Sequence, residues 1–125
     1  MGVHQFKELI VWQKAKMVCV QLYRLLEQYD LSHSILFKQI LRSALSIPSN
    51  IAEGCGGSSD KQLAHFLDIA MGSSNELETQ LIIFQEIAII NTDELSFLIQ
   101  NVHEVQRLIA GFKKKLINPP LTSNV

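Results

Sequence analysis

Cysteine and proline are scarce in this 125-residue chain, and their scarcity excludes several kinds of protein. Cys19 and Cys55 have no metal-binding spacing, so we expect free thiols rather than a disulfide framework. No uncharged apolar run reaches the roughly 18 residues that a membrane span needs. Glu8 and Lys14 interrupt the first apolar region, which argues against a secretion signal. The sequence therefore predicts a soluble, cytoplasmic protein without a membrane partner.

Catalytic and metal-binding patterns are also lacking. No glutamate is followed by histidine three residues later, as ferritin-like di-iron bundles require. Ser73 and Ser74 fall within a predicted helix, without a neighbouring histidine or a strained turn. We therefore expect no cofactor, no metal and no enzyme activity.

Charge is low overall and unevenly distributed. The net charge of −1 provides no global field that attracts nucleic acid. Residues 58–90 hold one lysine against five carboxylates, whereas residues 91–125 hold one more cation than anions.

Apolar residues recur at steps of three and four along four segments, which indicates four long amphipathic helices. We place the helices at about 6–29, 34–54, 60–90 and 92–117, within one domain spanning 1–125. Ser59 and Gln62 form a capping box at the start of the third helix. Short links between long helices predict an all-α, antiparallel up-down-up-down four-helix bundle.

The segment from Ser46 to Gly54 is the least regular part of the second helix. Pro48 removes the N–H that would bond to the Ala44 carbonyl, at a cost of about 3 kcal/mol unless something compensates. Ser46 and Asn50 are the expected compensating donors. Glycines after Asn50 predict a left-handed backbone at the end of this helix.

These residues carry a resemblance to a known family. The resembling positions are Leu9, Trp12, Gln39, Arg42, the stretch 46–54, Ala70, Gly72, Ser73, Glu76, Leu77, Glu78 and Thr79. The chain resembles the four-helix proteins encoded by intervening sequences in bacterial ribosomal RNA genes. A related member is the accessory variability determinant of diversity-generating retroelements. The resemblance implies a ring-shaped homo-oligomer, a homopentamer in characterised members, without enzyme activity.

Hairpin geometry brings several of these residues to one side of the bundle, and two interpretations of them stay open. The candidate polar layer consists of Trp12, Arg42, Ser46, Asn50, Glu53, Ser73 and Glu76. In one interpretation Arg42 pairs with Glu76 and the layer is structural, so that removing one partner of the pair costs more than a surface pair would. In the other, Arg42 binds an anionic ligand. Gly72, Ser73 and Ser74 favour close helix approach, either within one chain or between chains.

Two further surfaces are candidates for partners. Nucleic acid has one candidate footprint: Lys7, Lys14, Lys16, Arg107, Lys113, Lys114 and Lys115. A solvated polar face is the alternative interpretation. An apolar surplus near the end of the third helix predicts an oligomer interface at Ile82, Ile83, Ile89 and Ile90, with burial inside one chain as the alternative.

The expected function is a non-enzymatic oligomeric scaffold or adaptor whose first partner is itself, with another protein as a further candidate partner. The alternative is a nucleic-acid-binding accessory factor that partners a reverse transcriptase or RNA, as the retroelement relative does. Leu41 and Gly57 stand where the family often has arginine, which counts against that alternative. A small-molecule binder or enzyme ranks behind both.

Overall fold

Four α-helices form the described part of the chain. The computed structural model describes residues 5–29, 34–87 and 92–118. The helices are α1 (Ile10–Glu27), α2 (Ile35–Cys55), α3 (Asp60–Ile87) and α4 (Thr92–Ile117), with no strand in the described ranges. Each helix packs on its neighbours in chain order, α1 also packs on α4, and the α2–α3 contact is the most extensive. The predicted all-α four-helix fold is confirmed.

Polar contacts along α3 and α4 show that these two helices run antiparallel. At one end Lys113 Nζ lies 2.5 Å from Asp68 Oδ1. At the other end Gln85 Nε2 donates to Ser96 Oγ at 3.2 Å. Residue numbers rise along α3 while their partners fall along α4, as an up-down arrangement requires.

Local capping signals set the starts of α2 and α3. Ser34 Oγ accepts from the Phe37 backbone N–H at 3.3 Å, and Ser59 Oγ accepts from the Gln62 N–H at 3.1 Å. Each bond satisfies one of the N–H groups that a helix start leaves unpaired. The expected serine cap before α3 is present.

The start of the first predicted helix differs from expectation. Phe6–Glu8 form a separate 3₁₀ turn, and Leu9 has extended backbone with φ −74° and ψ 129°. The turn brings the Phe6 ring against Trp12, with ring centroids 5.2 Å apart in an edge-to-face arrangement. Packing of Phe6 and Leu9 against the core outweighs the local helical pattern.

The end of α2 corrects a second expectation. The predicted left-handed glycine is wrong: no described residue has positive φ, and Gly56 caps α2 at φ −77°. Gly54 serves another purpose, since a Cβ there would lie 2.8 Å from Phe66 Cβ. Glycine therefore permits the close approach of α2 to α3.

The core is a single apolar cluster to which all four helices contribute. Its fully enclosed large side chains include Leu22, Leu26, Ile40, Ile47, Ile51, Leu63, Leu67, Leu77, Leu81, Leu95 and Ile109. Within the described ranges, no helix is both long enough and apolar enough to cross a lipid bilayer.

Pro48 lies inside α2, and its missing N–H is compensated by another helix. The Cys19 thiol of α1 donates to the Ala44 carbonyl oxygen, with Sγ 3.1 Å from the oxygen. Asn50 Nδ2 instead donates to the Ser46 carbonyl at 2.7 Å. The expectation that Ser46 or Asn50 would take up the Ala44 carbonyl is therefore wrong. Burial raises the pKa of Cys19 to about 11, so the thiol keeps its proton and remains a donor.

Replacing Cys19 by alanine should destabilise the protein by about 1–3 kcal/mol, because it leaves the Ala44 carbonyl without a partner. Pro48→Ala restores the backbone N–H, so Cys19→Ala should cost less in that background. Urea unfolding of the four variants measures the difference as a double-mutant cycle. Cys55→Ala is the control, since Cys55 is a buried free thiol whose side chain forms no hydrogen bond within the described ranges. An equal cost of Cys19→Ala in both backgrounds would contradict the assignment.

Candidate functional site

Three members of the predicted polar layer meet between α2 and α3. Ser46 Oγ and Ser73 Oγ lie 2.8 Å apart and share a hydrogen bond. Asn50 Nδ2 donates to Ser46 Oγ at 2.9 Å, as well as to the carbonyl of Ser46. Half-buried hydroxyl and amide groups thus satisfy one another across the helix pair. This Ser46–Asn50–Ser73 cluster fixes the height of α2 against α3.

The charged members of the predicted layer lie outside this cluster. Arg42, Glu53 and Glu76 are exposed, and no ion pair joins Arg42 to Glu76 in the described ranges. Because Ser46 faces Ser73, Arg42 lies one turn away, close to the height of Glu76. The two side chains share a height but point outward instead of pairing. The expected ion pair is therefore not formed.

Trp12 belongs to a different surface, at the start of α1. Its ring packs edge-on against Phe6, and Lys16 Nζ lies 5.3 Å from the Trp12 ring centroid. Lys7 Nζ lies 6.0 Å from the Phe6 centroid. Both lysines are within the range of cation–π attraction. Two aromatic rings and two cations therefore form one half-exposed group, separate from the Ser46–Asn50–Ser73 cluster.

The predicted nucleic-acid footprint is divided by ion pairs. Lys14 Nζ lies 3.4 Å from Glu104 Oε1, and Lys113 contacts Asp68. A groove of about 420 Å³ separates the start of α1 from the end of α4, and Arg107 and Lys115 are among its lining residues. Two of the seven candidate cations are thus engaged with carboxylates, and the others do not form one continuous strip.

A polar seam between α3 and α4 was not predicted. Glu78 accepts from Gln106 Nε2 at 2.9 Å and is hydrogen-bonded to His103 Nε2 at 2.8 Å. Gln106 also donates to Asn75 Oδ1 at 3.2 Å. The bonds from Gln106 and then His103 hold the pKa of Glu78 below its usual value of 4.5. Only the heptad register of α4 relative to α3 would have indicated this seam, because its members are ordinary surface residues in sequence.

The predicted interface isoleucines fall into three groups. Ile82 and Ile83 are each 44% exposed, but adjacent helical residues point about 100° apart and so belong to different faces. Ile89 and Ile90 lie outside the described residues. Ile83 shares an outer face of α3 with other exposed residues at helical spacing. This face, here named the α3 stripe, consists of Ile69, Gly72, Glu76, Ile83 and Ile87.

A second exposed apolar surface lies on α1 and α2, and the sequence did not indicate it. The hydrogen bond from Cys19 to Ala44 places these two residues at the same height along the bundle. About one turn away in the same direction, Tyr23 of α1 and Leu41 of α2 therefore also lie at nearly the same height. Tyr23 is 55% exposed, Leu45 56% and Val20 41%. The surface, here named the α1–α2 face, consists of Lys16, Val20, Tyr23, Leu41, Leu45 and Pro48. Its only charge is Lys16.

The comparisons with known proteins identify the family. The model of the family described as 23S rRNA-intervening sequence protein matches residues 7–111. The chain belongs to this family. A similar solved structure is a protein of unknown function from the S23 ribosomal protein family of Bacteroides thetaiotaomicron, at 26% identity and TM-score 0.76. The alignment covers 84% of this chain and 99% of that one. A search of curated proteins found no match.

Family membership confirms the resemblance to the intervening-sequence proteins, and the fold of this chain agrees with that of the solved structure. No enzyme family is indicated by either comparison. In the described ranges, no group of three or more His, Cys, Asp or Glu side chains is arranged to hold a metal ion.

Replacing Ser46 by alanine should destabilise the protein by about 1 kcal/mol, because Ser73 and Asn50 both lose a half-buried partner. Arg42→Ala should change stability by less than about 0.5 kcal/mol, since Arg42 is exposed and forms no ion pair in the described ranges. Urea denaturation of both variants tests the ranking. A larger loss of stability for Arg42→Ala than for Ser46→Ala would show that Arg42 belongs to the structural polar layer.

Glu78→Gln should reduce the acid sensitivity of folding. The folded-state pKa of Glu78 is lowered, so its ionised form stabilises the protein above the unfolded-state pKa. That stabilisation is lost as the pH falls through the lower folded-state value. Denaturation between about pH 5 and about pH 3 should show a shallower decline in the variant than in wild type. Glu86→Gln, an exposed change on the same helix, is the control, and identical slopes for Glu78→Gln and wild type would contradict the prediction.

Proposed function

We propose that this protein is a non-enzymatic oligomeric scaffold or adaptor that acts in the cytoplasm. The observation that carries the proposal is the amount of apolar side chain left exposed on defined helix faces. Tyr23, Leu45 and Ile87 are each more than half exposed, although the core of the single chain is already closed. Contiguous apolar surface of several hundred Å² usually marks an interaction site.

The side chains that would be candidates for catalysis are engaged in hydrogen bonds within the bundle, and this supports a non-enzymatic role. Ser73 is bonded to Ser46, and Ser74 donates to the Met71 carbonyl at 2.7 Å. His103 is held by Glu78 in the seam between α3 and α4. Each of these groups has a structural role in the bundle. The polar chemistry of the chain is thus used to align helices.

The family resemblance supplies the expected number of copies. Characterised members of the family that the sequence resembles are homopentamers, and we propose five copies per assembly for this protein. The exposed apolar faces by themselves support only an assembly of more than one chain. In this proposal the assembled ring presents its remaining surface to a protein partner.

Light scattering coupled to size-exclusion chromatography tests the proposal on the purified full chain. The expected mass is five times that of one chain, independent of protein concentration in the micromolar range. A monomer at micromolar concentration would refute the scaffold proposal.

Nucleic-acid binding is a second candidate, and the group around Trp12 favours it. Stacking rings beside lysines are the usual means by which proteins hold single strands. Against it, Lys14 and Lys113 are already engaged by carboxylates. Binding through the remaining cations would be weak and would fall steeply with salt.

Trp12→Ala and Lys16→Ala should each weaken any binding of a fluorescent single-stranded RNA at low salt, measured by anisotropy. Lys113→Ala is the matched control, because its ion pair with Asp68 removes it from the proposed contacts. Tight binding at physiological salt, unaffected by Trp12→Ala, would show that another surface is used.

A further inference from the structure

Gly72 is a glycine that its own chain does not require. It is exposed in the middle of α3, and a Cβ added there would meet no atom within 4 Å. By contrast, a Cβ at Gly54 would clash with the neighbouring α3. Glycine inside a helix costs about 1 kcal/mol relative to alanine. Packing within the chain therefore accounts for Gly54 but not for Gly72.

One exposed isoleucine lies a turn before Gly72, and another lies about three turns after it on the same stripe. Ile69 is 39% exposed and Ile83 44% exposed, and both lie with Gly72 on the α3 stripe. Glu76 is the charged member of this stripe. The stripe therefore offers a notch at Gly72 with Ile69 on one side and the negative charge of Glu76 on the other, and a further apolar part at Ile83.

The α1–α2 face has the complementary chemistry. Leu45 projects from it and is 56% exposed, and Lys16 supplies a positive charge. The charges summed over each whole helix, α1 and α3, have the same signs as these two surfaces. α1 holds three cations against one carboxylate, whereas α3 holds one lysine against five carboxylates.

Leu45 and Gly72 lie at similar heights along the bundle. The hydrogen bond between Ser46 and Ser73 makes these residues level, so Leu45 and Gly72, which precede them in the antiparallel helices α2 and α3, differ in height by two residue rises, roughly 3 Å. A rotation about an axis parallel to the bundle leaves heights unchanged. It therefore carries Leu45 of one copy to within roughly 3 Å of the height of Gly72 on the next, which is within the reach of a leucine side chain.

We propose that the α1–α2 face of one copy docks on the α3 stripe of a second copy, with Leu45 seated above Gly72. The contact joins two different surfaces, so it is heterologous and repeats from copy to copy. The α1–α2 face lies on α1 and α2, whereas the α3 stripe lies on α3, so one copy uses different residues for its two contacts. Such a contact closes into a ring when the rotation between successive copies divides a full turn. This inference rests on the proposed oligomeric function and names the surfaces that build it.

Two glycines provide a matched test. Gly72→Leu fills the notch, and Gly111→Leu makes the same change on α4, where a Cβ also meets nothing within 4 Å. Both variants should keep the helical fold by circular dichroism, since leucine favours helix over glycine. Light scattering should show that Gly72→Leu falls to the mass of one chain, while Gly111→Leu keeps the wild-type mass. Equal masses for the two variants would overturn the docking model.

Cysteine cross-linking tests the pairing itself and does not depend on the stability of Gly72→Leu. Under mild oxidation the double variant Leu45→Cys with Gly72→Cys should give a ladder of covalently linked chains. Either single variant alone should remain uncross-linked, because each lacks its counterpart on the neighbouring copy. Burial raises the pKa of the native Cys19 and Cys55 thiols, which keeps background reaction low in the wild-type control.

The outcomes separate this inference from the proposed function. A covalent dimer of Leu45→Cys alone would show that the α1–α2 face pairs with itself, and would overturn the heterologous contact. An oligomeric wild type whose double variant gives no ladder would overturn the surfaces while leaving the scaffold intact. A monomeric wild type would refute both. A ladder from the double variant alone, with dissociation by Gly72→Leu, is the supporting result.

Discussion

The proline inside α2 is the constraint around which the bundle is arranged. Pro48 leaves the Ala44 carbonyl without its helical partner, and that carbonyl faces a low-polarity interior where an unpaired group is costly. The Cys19 thiol of α1 satisfies it. The same segment of α2 carries Ser46, which bonds to Ser73 of α3. One irregular turn thus fixes α2 against both neighbouring helices.

Different helix pairs are aligned by different kinds of contact: close packing for one pair and polar side-chain contacts for another. α2 approaches α3 closely because Gly54 has no side chain, and a short serine contact fits between them. α3 and α4 are joined by longer side chains, from Asp68–Lys113 to Gln85–Ser96. The α2–α3 contact therefore includes glycine and serine, whereas the α3–α4 seam has room for charged and amide groups. The outward faces that remain are more apolar than a solitary bundle needs.

Several features of the fold followed from residues that are neighbours in sequence. Heptad spacing located all four helices, and the serine at 59 marked the start of α3. These signals succeed because capping and amphipathic periodicity involve bonds and faces within one turn or two. Leu9 shows the limit of such signals. Its extended backbone depends on Phe6 and Leu9 packing against the core, which no local pattern records.

The sequence by itself determined the helical class, the family resemblance and the place where α2 is irregular. Tertiary structure decided which group satisfies Ala44, that Arg42 and Glu76 stay apart, and that apolar surface gathers on α1 and α2. Those outcomes depend on the rotation and height of each helix relative to its neighbours. A difference of one residue turns a side chain by about 100° around its helix axis. Periodicity fixes which face of each helix is buried, but only packing between helices sets the side chains that meet across that face.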